Sequence, residues 1–352
     1  MGREDQKNGW ESSKGKTDLC QGQSFLYEIR RGYAVIWRCF SRDTQAVVPE
    51  ELEGYPVKEL APYAFSDHQD PKDRENKKRS ACVLGDQEEL PMLCGGRLER
   101  VILPESLERV GRYCFYNCEN LESISFGGGV RDWGSGTFTG CHKVRKLQVH
   151  MEEEGKSTWK DVLSEIREEL EVDYFCGRGE TAKYAKLVFP EFFEEGVENT
   201  PARILETHVH GSGLYYRNCF VQRVFQFAEY DSRFDYAAAE ERGELLLRMA
   251  IGRLLYPYQL SEKAKKAYSR YLCRERRAAA KEILQSKDAK ALSWFLNYLL
   301  EEKEELSEND RASLLREMKA DASRMQDPAA VSRLMDFEHK NRPKKEYDPF
   351  EL

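Results

Sequence analysis

Between residues 98 and 149 the apolar positions recur on a fixed beat. The run Leu98-Glu99-Arg100-Val101-Ile102-Leu103-Pro104 lies 23 residues before Leu121-Glu122-Ser123-Ile124-Ser125-Phe126-Gly127, which lies 23 before Val144-Arg145-Lys146-Leu147-Gln148-Val149. The same interval joins Leu107 to Val130, Val110 to Trp133, Gly111 to Gly134, Phe115 to Phe138 and Cys118 to Cys141. Within one copy Leu98, Val101 and Leu103 place apolar side chains on the inner side of a short strand, and Leu121, Ile124 and Phe126 repeat the pattern. Each copy is thus one coil that adds one strand to a parallel sheet. A single coil cannot bury its apolar side alone, so neighbours must stack. Phe115 and Phe138 are expected to reach in from the opposite wall. Gly111 and Gly134 fall where the chain must turn, a place that favours a residue without Cβ.

An earlier copy is Val47-Val48-Pro49 followed by Val57 to Phe65, with five extra residues that include Gly54-Tyr55-Pro56. Upstream, Phe25 to Ile29 and Tyr33 to Phe40 alternate around Arg31-Gly32 and predict a hairpin, a natural cap for an open solenoid end. Between the first two copies lies 66–97, whose centre, Gln69 to Arg79, is too polar to offset its ordering entropy and reads as a flexible excursion. Trp159, Val162, Leu163, Ile166 and Leu170 have helical spacing. Lys186 to Pro190 predicts a strand whose Val188-Phe189-Pro190 echoes Ile102-Leu103-Pro104, as a degenerate last coil would.

From Ala237 the spacing turns helical, over Ala237–Leu255, Ser261–Arg274, Arg276–Gln285, Ala289–Glu302, Glu308–Met325 and Pro328–Asn341. Ser307 with Asp310, and Asp327 before Pro328, are start signals, because a short oxygen-bearing side chain satisfies free amides and Pro suits the first turn. Asp288 to Leu296 matches Asp327 to Met335 at a spacing of 39 residues, which resembles the helix-pair units of ankyrin-like or HEAT-like arrays. The expected organisation is a disordered 1–23, a solenoid over 24–150 with its loop 66–97, and a mixed connecting region over 151–236. A helical domain over 237–342 and a tail over 343–352 complete it. The fold class is an α/β repeat, a leucine-rich repeat solenoid with a parallel sheet, followed by an all-α domain.

The run from Leu103 to Cys118, Leu-Pro-Glu-Ser-Leu-Glu-Arg-Val-Gly-Arg-Tyr-Cys-Phe-Tyr-Asn-Cys, resembles the BspA-type leucine-rich repeat, whose pattern is I-x-L-P-x-S-V-x-x-I-G-x-x-A-F-x-x-C. Gly54-Tyr55-Pro56-Val57 is similar to that family's opening repeat, in which an inserted turn with G-x-x-V precedes I-G-x-x-A-F. The resemblance spans roughly residues 25–150. It implies a curved solenoid and a binding role, commonly in bacterial surface or adhesion proteins, and supplies no catalytic residues.

Composition narrows the address and the chemistry. Charged residues make up 33% of the chain, above the usual ~25%, as an elongated array with a large solvated surface requires. The formal net charge of -7 disfavours nucleic acid and anionic membrane as partners of the whole molecule. Met1 to Gln23 holds no apolar run of signal-peptide length, and nothing approaches a membrane span, so a cytoplasmic location is expected. Ten cysteines in 352 residues are too sparse for a disulfide scaffold and read as free thiols.

Cys114, Cys118, Cys141 and His142 cluster as zinc-ligand types do, yet the period explains Cys118 and Cys141 without metal, as one rung position of successive coils. Glu206, His208 and His210 supply too few ligands for a metal centre. Glu191, Glu194 and Glu195 read as a solvated face rather than paired acids. Gly127-Gly128-Gly129 is followed by no Gly-Lys-Ser, so it is a turn and not a phosphate loop. No G-x-S-x-G or H-E-x-x-H occurs. Lys263, Lys265, Lys266, Arg270, Arg274, Arg276, Arg277 and Lys281 form a basic segment interleaved with Tyr268 and Tyr271, the alternative basis for a nucleic-acid role. The expectation is a non-enzymatic protein-binding module without cofactor, metal or small-molecule substrate. It presents its concave sheet and the 66–97 excursion to a protein partner.

Overall fold

The computed structural model describes residues 22–68, 78–81, 90–152, 155–179, 182–199, 204–301 and 307–341. The expected disordered N-terminus up to residue 21, most of the polar centre of the excursion and the tail after 341 lie outside the described residues. The chain divides into two compact units, residues 1–233 and 234–352.

The first unit opens with β1 (Gln23–Arg30), β2 (Tyr33–Ser41), β3 (Gln45–Val47), β4 (Glu51–Leu52), β5 (Tyr55–Leu60) and β6 (Lys78–Ala81). It continues with β7 (Arg100–Ile102), β8 (Arg109–Val110), β9 (Ser123–Gly127), β10 (Asp132–Trp133) and β11 (Lys146–Met151). Helix α1 (Trp159–Glu165) precedes β12 (Leu170–Cys176) and β13 (Lys183–Phe189). Arg31 and Gly32 take φ of 47° and 85°, the left-handed pair that a tight β1–β2 hairpin needs.

Two sheets form the walls. In the first, β2, β5, β8 and β10 run parallel, with β1 and β6 joined antiparallel beyond β2. In the second, β3, β7, β9, β11 and β12 run parallel and β13 closes antiparallel. The register aligns Ala46, Val101, Ile124, Leu147, Val172 and Leu187 across six strands, and all six are buried between the walls. From the coil's far side, Phe65, Phe115 and Phe138 stack at centroid spacings of 5.3 and 5.6 Å, the separation expected when each ring belongs to the next coil. A Cβ on Gly111 would stand 2.3 Å from the Pro62 amide nitrogen, and one on Gly134 2.3 Å from that of Arg112. Only glycine lets successive coils approach this closely.

Two expectations change after residue 159. The helix ends at Glu165, and Leu170 begins a strand instead of a further turn. The buried Arg217 guanidinium donates to the carbonyls of Leu163, Ile166 and Glu168 at 3.0, 3.1 and 2.7 Å, taking up acceptors that another helical turn would have used. The strand that ends in Val188-Phe189 is also no coil of the stack, since β13 runs antiparallel to β12. The last parallel strand is β12.

Beyond β13 lie the hairpin β14 (Phe193–Asn199) and β15 (Ile204–His210), the helix α2 (Gly213–Arg217), the small hairpin β16 (Phe220–Val221) and β17 (Val224–Phe225), and α3 (Phe227–Ser232). Their core is aromatic: Trp159 meets Tyr174, Phe189, Phe220 and Phe225 at 4.9 to 6.1 Å. Each outer edge of the second sheet is closed by one side chain. The Gln23 amide accepts from the Val47 amide at 3.0 Å and donates to the Gln45 carbonyl at 3.2 Å. At the other edge the Tyr230 hydroxyl donates to the Val188 carbonyl at 2.7 Å and accepts from its amide at 3.0 Å. Unpaired strand edges are thereby satisfied.

The second unit is helical: α4 (Phe234–Glu240), α5 (Gly243–Leu255), α6 (Glu262–Arg274), α7 (Arg276–Ser286), α8 (Ala289–Glu301), α9 (Glu308–Arg324) and α10 (Pro328–Lys340). The expected helix over 237–255 is broken at Glu241-Arg242, where Arg242 is extended and Gly243 restarts the spiral. Helix α7 packs on both α5 and α9, and α8 on α10, so helices two apart in sequence are neighbours. Ser307 accepts from the Asp310 amide at 3.1 Å and Asp327 from that of Ala330 at 3.0 Å, capping the starts of α9 and α10. Among the described residues no helix is long and apolar enough to cross a membrane.

Candidate binding face

Alternation along the second sheet sends every other residue outward. On β7, β9 and β11 the outward residues are Arg100 and Ile102, then Ser123, Ser125 and Gly127, then Lys146, Gln148 and His150, aligned by the parallel register. Because β9 contributes the smallest side chains and its neighbours larger ones, a trough one strand wide runs along β9. Its volume is about 380 Å³ and Gln45 extends its wall.

From the β11 flank of the trough onward the charges pair across the strands. Lys146 pairs with Asp173 at 2.9 Å and Lys186 with Glu171 at 3.1 Å, so β11, β12 and β13 neutralise one another's charges. Asp173 also accepts from the Tyr184 hydroxyl at 2.5 Å. His150 stacks on Phe175 with centroids 4.7 Å apart and planes 3° apart, and Phe175 meets Tyr184 at 4.9 Å. The ring ladder ends at β11, because Gly127 occupies the same rung on β9. Ser125 Oγ lies 3.3 Å from His150 Nε2.

The sixteen repeat positions singled out in the sequence lie under this face or on the facing wall. Leu98, Val101, Leu103, Leu107, Val110, Phe115, Cys118, Leu121, Ile124, Phe126, Val130, Trp133, Phe138, Cys141, Val144 and Leu147 are all buried. No disulfide joins the eight described cysteines. Cys118 Sγ donates to the Phe65 carbonyl at 3.3 Å and Cys141 Sγ to that of Phe115 at 3.0 Å, each reaching one coil back to the backbone of a stacked phenylalanine. The neighbouring Cys141 and burial push the Cys118 thiol up, and burial does the same to Cys114. Both favour the neutral thiol.

His142 is exposed and pairs with Glu168 at 3.1 Å, away from the thiols' carbonyl partners. His208 and His210 are exposed on β15, and His210 pairs with Glu195 at 3.2 Å. Glu191, Glu194 and Glu195 are exposed. Among the described residues no group of three or more His, Cys, Asp or Glu is placed to hold a metal ion. In the basic segment, Tyr268 and Tyr271 turn into the helical core, and Arg276 and Arg277 pair with Asp310 and Glu317 at 3.0 and 3.1 Å.

The trough residues were not singled out by the sequence reading. Their signal is present as the polar positions 100, 123, 125, 146 and 148, which alternate with the apolar beat.

Residues 93–162 match the family described as "BspA type Leucine rich repeat region (6 copies)". Among solved structures the chain is similar to a leucine rich cell surface protein from Faecalibacterium prausnitzii A2-165, at 15% identity over 37% of this chain and 30% of that one, with a TM-score of 0.25. It is also similar to the T. pallidum Leucine Rich Repeat protein, at 21% identity over 35% of this chain and 68% of that one, with a TM-score of 0.21. The chain thus spans about 30% of the first of these proteins. No curated protein matches it. The residues that match this repeat model carry the coils from β7 to β11.

Proposed function

We propose that this chain is a non-enzymatic protein-binding module that engages its partner through the outward face of the second sheet. The observation that carries this reading is the trough along β9, where the small Ser123 and Ser125 lie between the larger side chains of β7 and β11. A floor of small residues lets another backbone approach, and rigid flanking strands fix its position. No disulfide joins the eight described cysteines, in keeping with a reducing compartment, which supports a cytoplasmic site of action.

The nucleic-acid alternative finds less support. Stacking on bases needs exposed aromatic faces, whereas Tyr268 and Tyr271 are buried. Arg276 and Arg277 are already engaged by carboxylates.

The test is affinity capture by the wild-type chain and by Ser125→Leu, which fills the trough, each with and without nuclease, read by quantitative mass spectrometry. Proteins retained by the wild type, lost on Ser125→Leu and indifferent to nuclease are expected. Capture that disappears with nuclease overturns the reading.

A further inference from the structure

The hairpin of β14 and β15 meets solvent on both faces. Alternation puts Phe193, Glu195, His208 and His210 on one face and Glu194, Gly196, Thr207 and Val209 on the other. All eight are exposed, Phe193 at 57% and Val209 at 37%. A two-stranded hairpin with no buried face is marginal in water, and its outer edges present backbone groups that seek another strand.

The two edges differ. At the base of β14 the Phe192 amide donates to the Arg167 carbonyl at 3.0 Å, and Arg167 pairs with Glu194 at 3.3 Å, so the segment between α1 and β12 is tied to this strand. The strand is also acidic, Phe-Glu-Glu-Gly-Val-Glu-Asn. Set antiparallel to its own copy about Gly196, it would place Glu194 opposite Glu198, a like-charge pair that opposes association.

The outer edge of β15 has no strand beside it among the described residues. Its sequence, Ile204-Leu205-Glu206-Thr207-His208-Val209-His210, is complementary to itself when reversed. Turned antiparallel about Thr207, it brings Glu206 opposite His208 and Leu205 opposite Val209, with Thr207 opposite its own copy. These are a carboxylate facing an imidazole, an apolar pair and a hydroxyl pair, the combinations that stabilise neighbouring strands. Gly196 flanks Thr207 on β14, so the middle of this row holds only small residues.

We propose that two copies of the chain associate here, β15 of each pairing antiparallel about a two-fold axis at Thr207 to join the hairpins into one four-stranded sheet. A two-fold contact needs one patch that complements itself, and this strand supplies it. The face on which Phe193 stacks on His210, with centroids 4.4 Å apart, then continues to Ile204 of the second copy. Strands of seven residues make a small interface, so a reversible dimer with a Kd on the order of 1–100 μM is expected. The assembly carries the trough twice and gains avidity for a bivalent partner, but the association does not depend on what the trough binds.

Sedimentation velocity of the full chain over a concentration series should show monomer and dimer in exchange. His208→Glu sets a carboxylate opposite Glu206 at both symmetry-related positions and is expected to weaken the dimer about tenfold or more. Adding Glu206→Lys to the same chain restores it, while Arg100→Glu, an exposed change on the second sheet, leaves it unaltered. Thr207→Cys tests the axis, because a residue opposite its own copy lies within disulfide reach. Oxidation with diamide should lock that variant as a covalent dimer beyond the wild-type background. Val209→Cys should not lock, since its own copy lies four residues along the strand, about 13 Å away.

A chain that sediments as a monomer at every concentration overturns the proposal. A dimer that His208→Glu leaves intact and Thr207→Cys fails to lock overturns it too, because the copies then meet elsewhere. A monomer whose captured proteins are lost on His208→Glu assigns the edge to a different protein, and the trough is then judged by Ser125→Leu alone.

Discussion

In the solenoid, residues 23 apart become neighbours across a hydrogen-bonded ladder, with Val101 beside Ile124 and Ile124 beside Leu147. In the helical unit, Asp288 and Asp327, 39 apart, each cap the start of a helix of 13 residues, but the two helices share few residues. The difference lies in what joins one repeat to the next. Backbone hydrogen bonds fix strand spacing near 4.8 Å, so every rung demands a side chain of the same size at the same place. Helices meet through side chains at 8–10 Å and accommodate many combinations of them. A strict sequence period is therefore the mark of a backbone-bonded stack, while a helical array keeps its spacing without keeping its residues.

The comparison is broken most directly at the phenylalanine stack. Phe115→Ala is expected to cost about 3–5 kcal/mol in denaturant unfolding, because it removes the middle ring of three and the rigid ladder relaxes little around the hole. A change under about 0.5 kcal/mol would show that the coils are not in the register described.

The same substitution is expected to have opposite signs in the two units. Gly134→Ala places a Cβ 2.3 Å from backbone of the preceding coil and should destabilise by about 1–3 kcal/mol. Gly243→Ala at the start of α5 meets nothing nearer than the Tyr271 hydroxyl at 3.7 Å and should stabilise by about 0.4–1 kcal/mol through reduced unfolded-state entropy. Thermal melts of the two variants decide it, and equal signs would remove the contrast. Ser307→Ala is expected to cost about 1 kcal/mol by uncapping α9, detectable as faster amide exchange over its first turn.

The smallest effect concerns the thiols. The folded chain holds the Cys118 and Cys114 thiols up, with Cys141 and burial as the causes. Stability from this source is complete below the ordinary thiol value of ~8.5 and declines as pH rises beyond it, since the unfolded chain ionises first. Alkaline titration of the unfolding midpoint should show that decline, and Cys118→Ala should reduce it. One retained equivalent of zinc per chain, lost together with the fold on Cys118→Ala, would replace the thiol ladder with a metal site.

How much the sequence disclosed follows the same division. The core rungs from Leu98 to Leu147 were legible because their period is uninterrupted. Leu170 was not, for it follows Val144 by 26 residues after a helix has been inserted, and its spacing from Trp159 imitates a longer helix. Val188-Phe189-Pro190 misled in another way: three matching residues carry no strand direction, which only the pairing with β12 supplies. Arg217 gave no signal, because an arginine in a Tyr-Tyr-Arg-Asn run reads as solvated until the carbonyls around it are assembled. The trough required knowing which polar residues share a rung, information that lies between strands.

The closures made by Gln23 and Tyr230 separate the ends of the second sheet from its length. Each uses a single side chain to imitate the missing neighbour, and neither touches the coils in the middle. A whole 23-residue cassette inserted between β9 and β11 would meet the same rung geometry on both sides and leave both terminal side chains in place. Coil number is thus an adjustable parameter of the design, and the trough can be lengthened or moved along the stack by duplication without rebuilding either end.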